Sequence, residues 1–132
     1  MGRNKVNTTP SQLSIMNSEE VYAMCMEFPH AQATFPFDQS TLVFKVGGKM
    51  FALYPLEKPH ILMVKCDPTR AIELRELHHE INPAWHMNKT HWNQIDITGS
   101  LSHAFIQELV AHSYDLVVAK LSRKIKNELN IK

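Results

Sequence analysis

Two runs rich in β-branched and aromatic residues, Thr41–Val46 and Lys49–Leu53, stand on either side of Gly47-Gly48. This pattern predicts a β-hairpin, because the two-residue turn that matches strand twist needs positive φ at both positions and glycine supplies it without a Cβ clash. Pairing across that turn sets Val46 opposite Lys49, Phe44 opposite Phe51 and Leu42 opposite Leu53. Side chains alternate across a strand, so these apolar pairs are expected on one core face, with Lys45 on the other face and Lys49 at the tip.

Elsewhere the period changes to that of helices. Val21, Met24, Cys25 and Phe28 follow at i, i+3, i+4 and i+7 behind Asn17-Ser18-Glu19-Glu20, an amphipathic helix with a capped, acidic start that stops at Pro29. Gln32–Phe37 reads as a short strand, held to an edge or cut short by Pro36. Ile61–Val64 is apolar on both faces and reads as a central strand. Asp67-Pro68 opens a second helix, whose spacing continues through Ala71, Leu74, Leu77, His78 and Ile81 to Asn82-Pro83. Trp85–Trp92 is a loop dense in aromatic and imidazole groups, and Asn93–Thr98 alternates as a fifth strand. After Gly99-Ser100 a single long helix is expected on Leu101, Phe105, Leu109, Leu116, Leu121 and Ile125, with basic last turns. The order αββββαβα predicts an α+β two-layer sandwich, an antiparallel sheet of about five strands with helices packed on one face. Residues 1–15 lack periodicity and are expected to form a flexible lead to a single domain over residues 16–132.

With 132 residues and 44% hydrophobic content, the chain suits one soluble globular domain. Its formal net charge is only +1, but the charge is unevenly spread. Ser11 to Asp38 holds Glu19, Glu20, Glu27 and Asp38 with no Lys or Arg, whereas Gln39 to Cys66 holds Lys45, Lys49, Lys58 and Lys65 against Glu57. Leu116 to Lys132 is basic again through Lys120, Arg123, Lys124, Lys126 and Lys132 against Glu128. Cys25 and Cys66 are too few for a disulfide framework, and seven methionines with no secretory segment point to a reducing cytoplasm.

Two stretches carry candidate chemistry. Lys45 and Lys49 on the hairpin can neutralise phosphates, with Lys58, Lys65 and Lys89 extending the basic surface; tip lysines also keep a strand edge soluble. In the Trp85–Trp92 loop, His86, His91 and Trp92 are the candidate lining of a binding pocket, against the alternative that Trp92 anchors the core and the histidines bond the loop's own backbone. No metal is expected: His78 and His79 point apart on a helix, and no cysteine shares the loop. Ser113-Tyr114-Asp115 matches a catalytic trio in composition only, because consecutive helical residues diverge by about 100°. Cys66 precedes a helix N-terminus, a position that lowers a thiol pKa, but lacks a paired base. Glu19, Glu20 and Glu27 are too sparse for a metal-binding ridge.

Taken in order, Phe35-Pro36-Phe37, Val43–Ala52, Lys65-Cys66-Asp67-Pro68, Pro83-Ala84 with His86-Met87-Asn88-Lys89 and His91-Trp92, and Ser113–Val117 resemble the MmcQ/YjbR family over about Met16 to Leu121. The resemblance implies a frataxin-like (CyaY-like) fold and a DNA-binding role through a double-wing arrangement. His30 stands where that family's turn has glycine, and Trp85 where it has tyrosine. The expectation is a monomeric, non-enzymatic cytoplasmic protein without cofactor that binds DNA weakly through the hairpin. The alternative is a module that binds a small molecule or protein with the Trp85–Trp92 loop.

Overall fold

The computed structural model describes residues 16–131, so the expected N-terminal lead lies outside the described residues. Four helices and six strands follow in the order α1 (Ser18–Met26), β1 (Gln32–Thr34), β2 (Thr41–Val46), β3 (Lys49–Pro55), β4 (Ile61–Lys65), α2 (Pro68–Leu77), β5 (Ile81–Pro83), β6 (Trp92–Asp96), α3 (His103–Ala119) and α4 (Arg123–Glu128). All strand pairs are antiparallel, in the order β1-β2-β3-β4-β6-β5. The predicted α+β architecture holds, with a sixth strand added.

Local chemistry explains most boundaries. Asn17 caps α1 in a reciprocal box with Glu20, through bonds of 2.8 and 3.0 Å, which satisfies two backbone donors at once. Asp67 caps α2, and Pro68 occupies a first-turn position whose N–H would have no helical partner. That helix stops at Leu77, earlier than its apolar spacing suggests. Ile81, which continues the helical period, instead begins β5 and pairs with Ile95. The short β5 carries Pro83, which an edge strand tolerates. The expected single C-terminal helix is two: Ser122 accepts the Ile125 amide at 3.1 Å and starts α4 afresh.

The hairpin departs from its expected register. Val46 does face Lys49, but a bulge between Phe44 and Lys45 puts Phe44 opposite Ala52 and Val43 opposite Leu53. Phe51 is the extra residue, so Phe51 and Ala52 both join the helix-side core while Leu53 turns to the opposite face. Phe51 there meets Tyr114 edge-on at 5.3 Å and Phe28 at 5.9 Å.

The main core lies between the sheet and the helices: Val21, Met24 and Cys25 of α1, Ala71 and Leu74 of α2, and Ile106, Leu109, Val110, Tyr114 and Val117 of α3 cover Phe44, Val46, Leu62, Val64 and Ile95. Ser113 ties α3 to two strands, donating to the Phe51 carbonyl at 2.6 Å and accepting the Lys65 amide at 2.9 Å. On the other side of the sheet a smaller cluster gathers Val43, Leu53, Met63, Ala84 and Trp92.

Candidate binding face

No helix covers the second side of the sheet; the Trp85–His91 loop does, and hydrogen bonds hold that loop. Ala84 donates its amide to the Trp92 carbonyl at 3.0 Å, and the Asn88 carbonyl accepts the amides of His91 and Trp92. Arg75 of α2 clamps it from outside: Nε donates to Asn93 Oδ1 at 2.7 Å and Nη2 to the Lys89 carbonyl. The Trp85 amide donates to Gln94 Oε1 at 3.0 Å, and His86 takes a left-handed φ of +64°. That kink stacks the His86 ring on Trp85 at 3.9 Å between centroids and leaves the indole 52% exposed.

Beside this loop runs a groove of about 820 Å³. Leu53, Ile61 and Met63 line it from the sheet, Trp85 and Met87 from the loop, and Phe37 from the β1–β2 connection. Phe37 is 64% exposed, a cost that folding tolerates only in small apolar areas. The connection is shaped by Asp38, whose Oδ1 accepts the amides of Ser40 at 2.9 Å and Thr41 at 2.7 Å. Those two amides hold its carboxyl below the usual aspartate range. Lys58 lays its Nζ over the Trp85 ring, 3.8 Å from the centroid. Lys89 donates from Nζ to the Ala84 carbonyl at 3.3 Å at the same groove.

The five expected lysines therefore fall into two groups. Lys58 and Lys89 line the groove. Lys45 and Lys65 are half-buried on the same open side, on β2 and β4, and Lys49 is exposed at the hairpin end. The hairpin tip is not a free projection: a Cβ on Gly47 would lie 2.9 Å from Ile125 and Leu121, so the C-terminal segment seats directly on the turn. The basic residues Lys120, Arg123 and Lys124 thus belong to the hairpin end rather than to a remote helix. Among the described residues no carboxylate comes within 4.0 Å of the ammonium groups of Lys45, Lys49, Lys58, Lys65 or Lys89.

Of the three expected pocket residues, only His86 lines the groove. Trp92 opens β6 and is buried in the smaller core cluster, 7% exposed. His91 acts through its backbone, its carbonyl accepting the Cys66 amide at 2.7 Å. Phe37 and the Asp38–Thr41 turn were not among the sequence candidates for the site. The signal was present in Asp38-x-Ser40-Thr41, a carboxylate followed by two amides it can accept from.

The remaining candidates have other duties. Tyr114 donates its hydroxyl to the Pro29 carbonyl at 2.6 Å, and Ser113 is fully bonded as described above. Burial pushes the Cys66 thiol up to about 11, opposite to the lowering that a helix start suggests, with Arg70 acting the other way. His112 is held below its ordinary value by burial and by Arg70, and its Nε2 accepts the Asp67 amide at 3.2 Å as a neutral imidazole does. Among the described residues no three or more His, Cys, Asp or Glu side chains are grouped to hold a metal ion. No helix of the described residues is long and apolar enough to cross a membrane.

Comparison with known proteins matches this geometry to a family. The YjbR family model matches residues 26–116. The Uncharacterized protein YbdF of Escherichia coli O157:H7 is 31% identical over 107 residues, which cover 80% of this chain and 88% of that one. The Uncharacterized protein YjbR of Escherichia coli K12 is 32% identical over 104 residues, 78% and 88% of the two chains. Among solved structures, the Deinococcus radiodurans protein DR2400, with a DUF419 domain, superposes with a TM-score of 0.81 at 35% identity, covering 93% of this chain and 92% of its own. A protein from Pseudomonas syringae reaches 0.66 at 26% identity over 77% of this chain and 99% of its own. The chain belongs to the MmcQ/YjbR family.

Proposed function

We propose that the protein is a non-enzymatic nucleic-acid-binding protein that holds phosphates with the lysines of the β2–β3 hairpin. One observation carries this reading: Lys45 and Lys49 stand without a carboxylate partner among the described residues, beside a turn seated on a basic C-terminal segment. A seated hairpin presents its charges with little ordering left to do, and unpaired ammonium groups are ready to replace the counterions of a phosphate backbone.

Such binding is electrostatic and tolerant of sequence. Fluorescence anisotropy with a labelled blunt duplex is expected to give dissociation constants of roughly 10⁻⁴–10⁻⁶ M at physiological salt. Lys45→Ala with Lys49→Ala should flatten the slope of log affinity against log salt by nearly two units, at about 0.9 per phosphate contact. Adding Arg123→Ala and Lys124→Ala should flatten it further, with the thermal midpoint unmoved. A slope shared by wild type and the double variant, or no binding at low salt, rejects the hairpin as the contact surface.

A second reading, a module for a small molecule or a protein segment around the Trp85–Trp92 loop, draws its support from the groove.

A further inference from the structure

We propose that the groove is a subsite for one unpaired nucleobase of a nucleic-acid strand, so that the protein prefers single strands to duplex; this rests on the nucleic-acid reading above. The groove volume, about 820 Å³, lies within the roughly 300–1,000 Å³ of sites that take small ligands, enough for a base with its sugar. Two aromatic side chains, Phe37 at 64% and Trp85 at 52%, line it while staying exposed. Exposed rings beside cations are the recurring platform for unpaired bases, because every base has a face to stack whatever its sequence. A duplex keeps its bases stacked on one another and offers none.

The charges suit a phosphate rather than a cation. The Asp38 carboxylate is turned inward on the Ser40 and Thr41 amides, which leaves Lys58 and Lys89 against Glu57 as the remaining ionised groups of the lining, with His86 beside them. Lys58 occupies the face of Trp85 at 3.8 Å. A base taking that ring face releases the ammonium toward the phosphate of the same nucleotide, so both contacts of the free protein are replaced. Lys65 lies two residues beyond Met63 on β4, about 7 Å along the strand, and alternation puts it on the same side of the sheet as the groove. Beyond it Lys45 lies on β2, one strand removed. These cations form a path from the groove to the hairpin end, so one strand can engage both.

The test compares a labelled single-stranded 12-mer with the blunt duplex of the same sequence, for wild type, Trp85→Ala and Lys58→Gln. Wild type should bind the single strand about tenfold more tightly than the duplex. Trp85→Ala should abolish that preference while leaving duplex affinity and its salt slope unchanged, and Lys58→Gln should reduce it. Equal affinities in wild type, or a preference that survives Trp85→Ala, overturn the groove proposal alone. Absence of duplex binding, with the single strand still lost on Trp85→Ala, instead rejects the hairpin. A third arm titrates adenosine monophosphate against the fluorescence of the exposed Trp85. Quenching by the mononucleotide without any single-strand preference identifies a free-nucleotide site and overturns the strand form of the proposal.

Discussion

The two sides of this sheet are finished in different ways. The helix side is closed by apolar residues from α1, α2 and α3, and the hydroxyls that enter it, Ser113 and Tyr114, are spent on backbone carbonyls. The open side has a small cluster under a loop, and there the ordering comes from hydrogen bonds of Asn88, Gln94 and Arg75 rather than from packed area. Apolar burial is the larger stabilising quantity, so the helix side holds the fold. The open side is free to keep Phe37 and Trp85 in water. Stability and recognition are therefore carried by separate surfaces of one layer.

The largest effect is expected where the helix side is emptied. Phe51→Ala should cost about 4 kcal/mol in urea unfolding, because the ring is fully buried among Phe28, Phe44 and Tyr114. Next comes the hairpin turn, whose two glycines differ sharply. Gly47→Ala combines positive φ with a Cβ at 2.9 Å from Leu121 and Ile125, and should cost about 3 kcal/mol. Gly48→Ala has the same kind of φ but open space, and should cost about 1 kcal/mol. Equal losses at the two positions would show that the C-terminal segment does not bear on the turn.

A smaller, pH-dependent effect is expected at Glu80, which is 4% exposed and accepts from the Ser100 hydroxyl and from its amide at 3.2 Å. The Ser100 hydroxyl, ahead of the other influences, holds this carboxyl below the ordinary 4.5. The unfolded chain thus binds the proton more tightly than the folded one. The contribution is complete above the ordinary value and fades as pH falls through the folded one. Ser100→Ala should lower stability by about 1 kcal/mol near neutrality and soften the acid limb of a midpoint-against-pH curve. The smallest change belongs to the open side: Trp85→Ala should move unfolding by no more than about 0.5 kcal/mol. A loss of several kcal/mol there would erase the contrast between the two faces.

Much of the fold is legible in the residues because local and global signals agree. Asn17, Asp67 and Gly47-Gly48 act through chemistry confined to a few neighbours, and each does what its type predicts. The errors arise where an apolar position serves two periods. Ile81 fits the end of a helix and also a strand, and pairing with Ile95 decides for the strand. Leu121 and Ile125 continue the period of α3, yet Ser122 breaks it and folds them onto Gly47. A bulge is harder still, since a single extra residue at Phe51 leaves the alternation of both flanks intact. The lysines are visible as a group, but their division between groove and hairpin depends on Lys58 meeting Trp85 across unrelated elements. Trp92 misleads as a pocket residue because an indole beside histidines has the same composition whether it lines a site or fills a core.

The seat of the hairpin on Leu121 and Ile125 also orders events in time. The turn and its brace are 78 residues apart, Gly47 against Ile125, a stretch that translation covers in roughly 4–16 s. A β-hairpin closes in about 1–10 μs. On a ribosome the strands therefore meet long before the segment that steadies their turn exists. The nascent wing spends seconds formed but unanchored, and its final orientation is a late step of biosynthesis rather than a property of the hairpin itself.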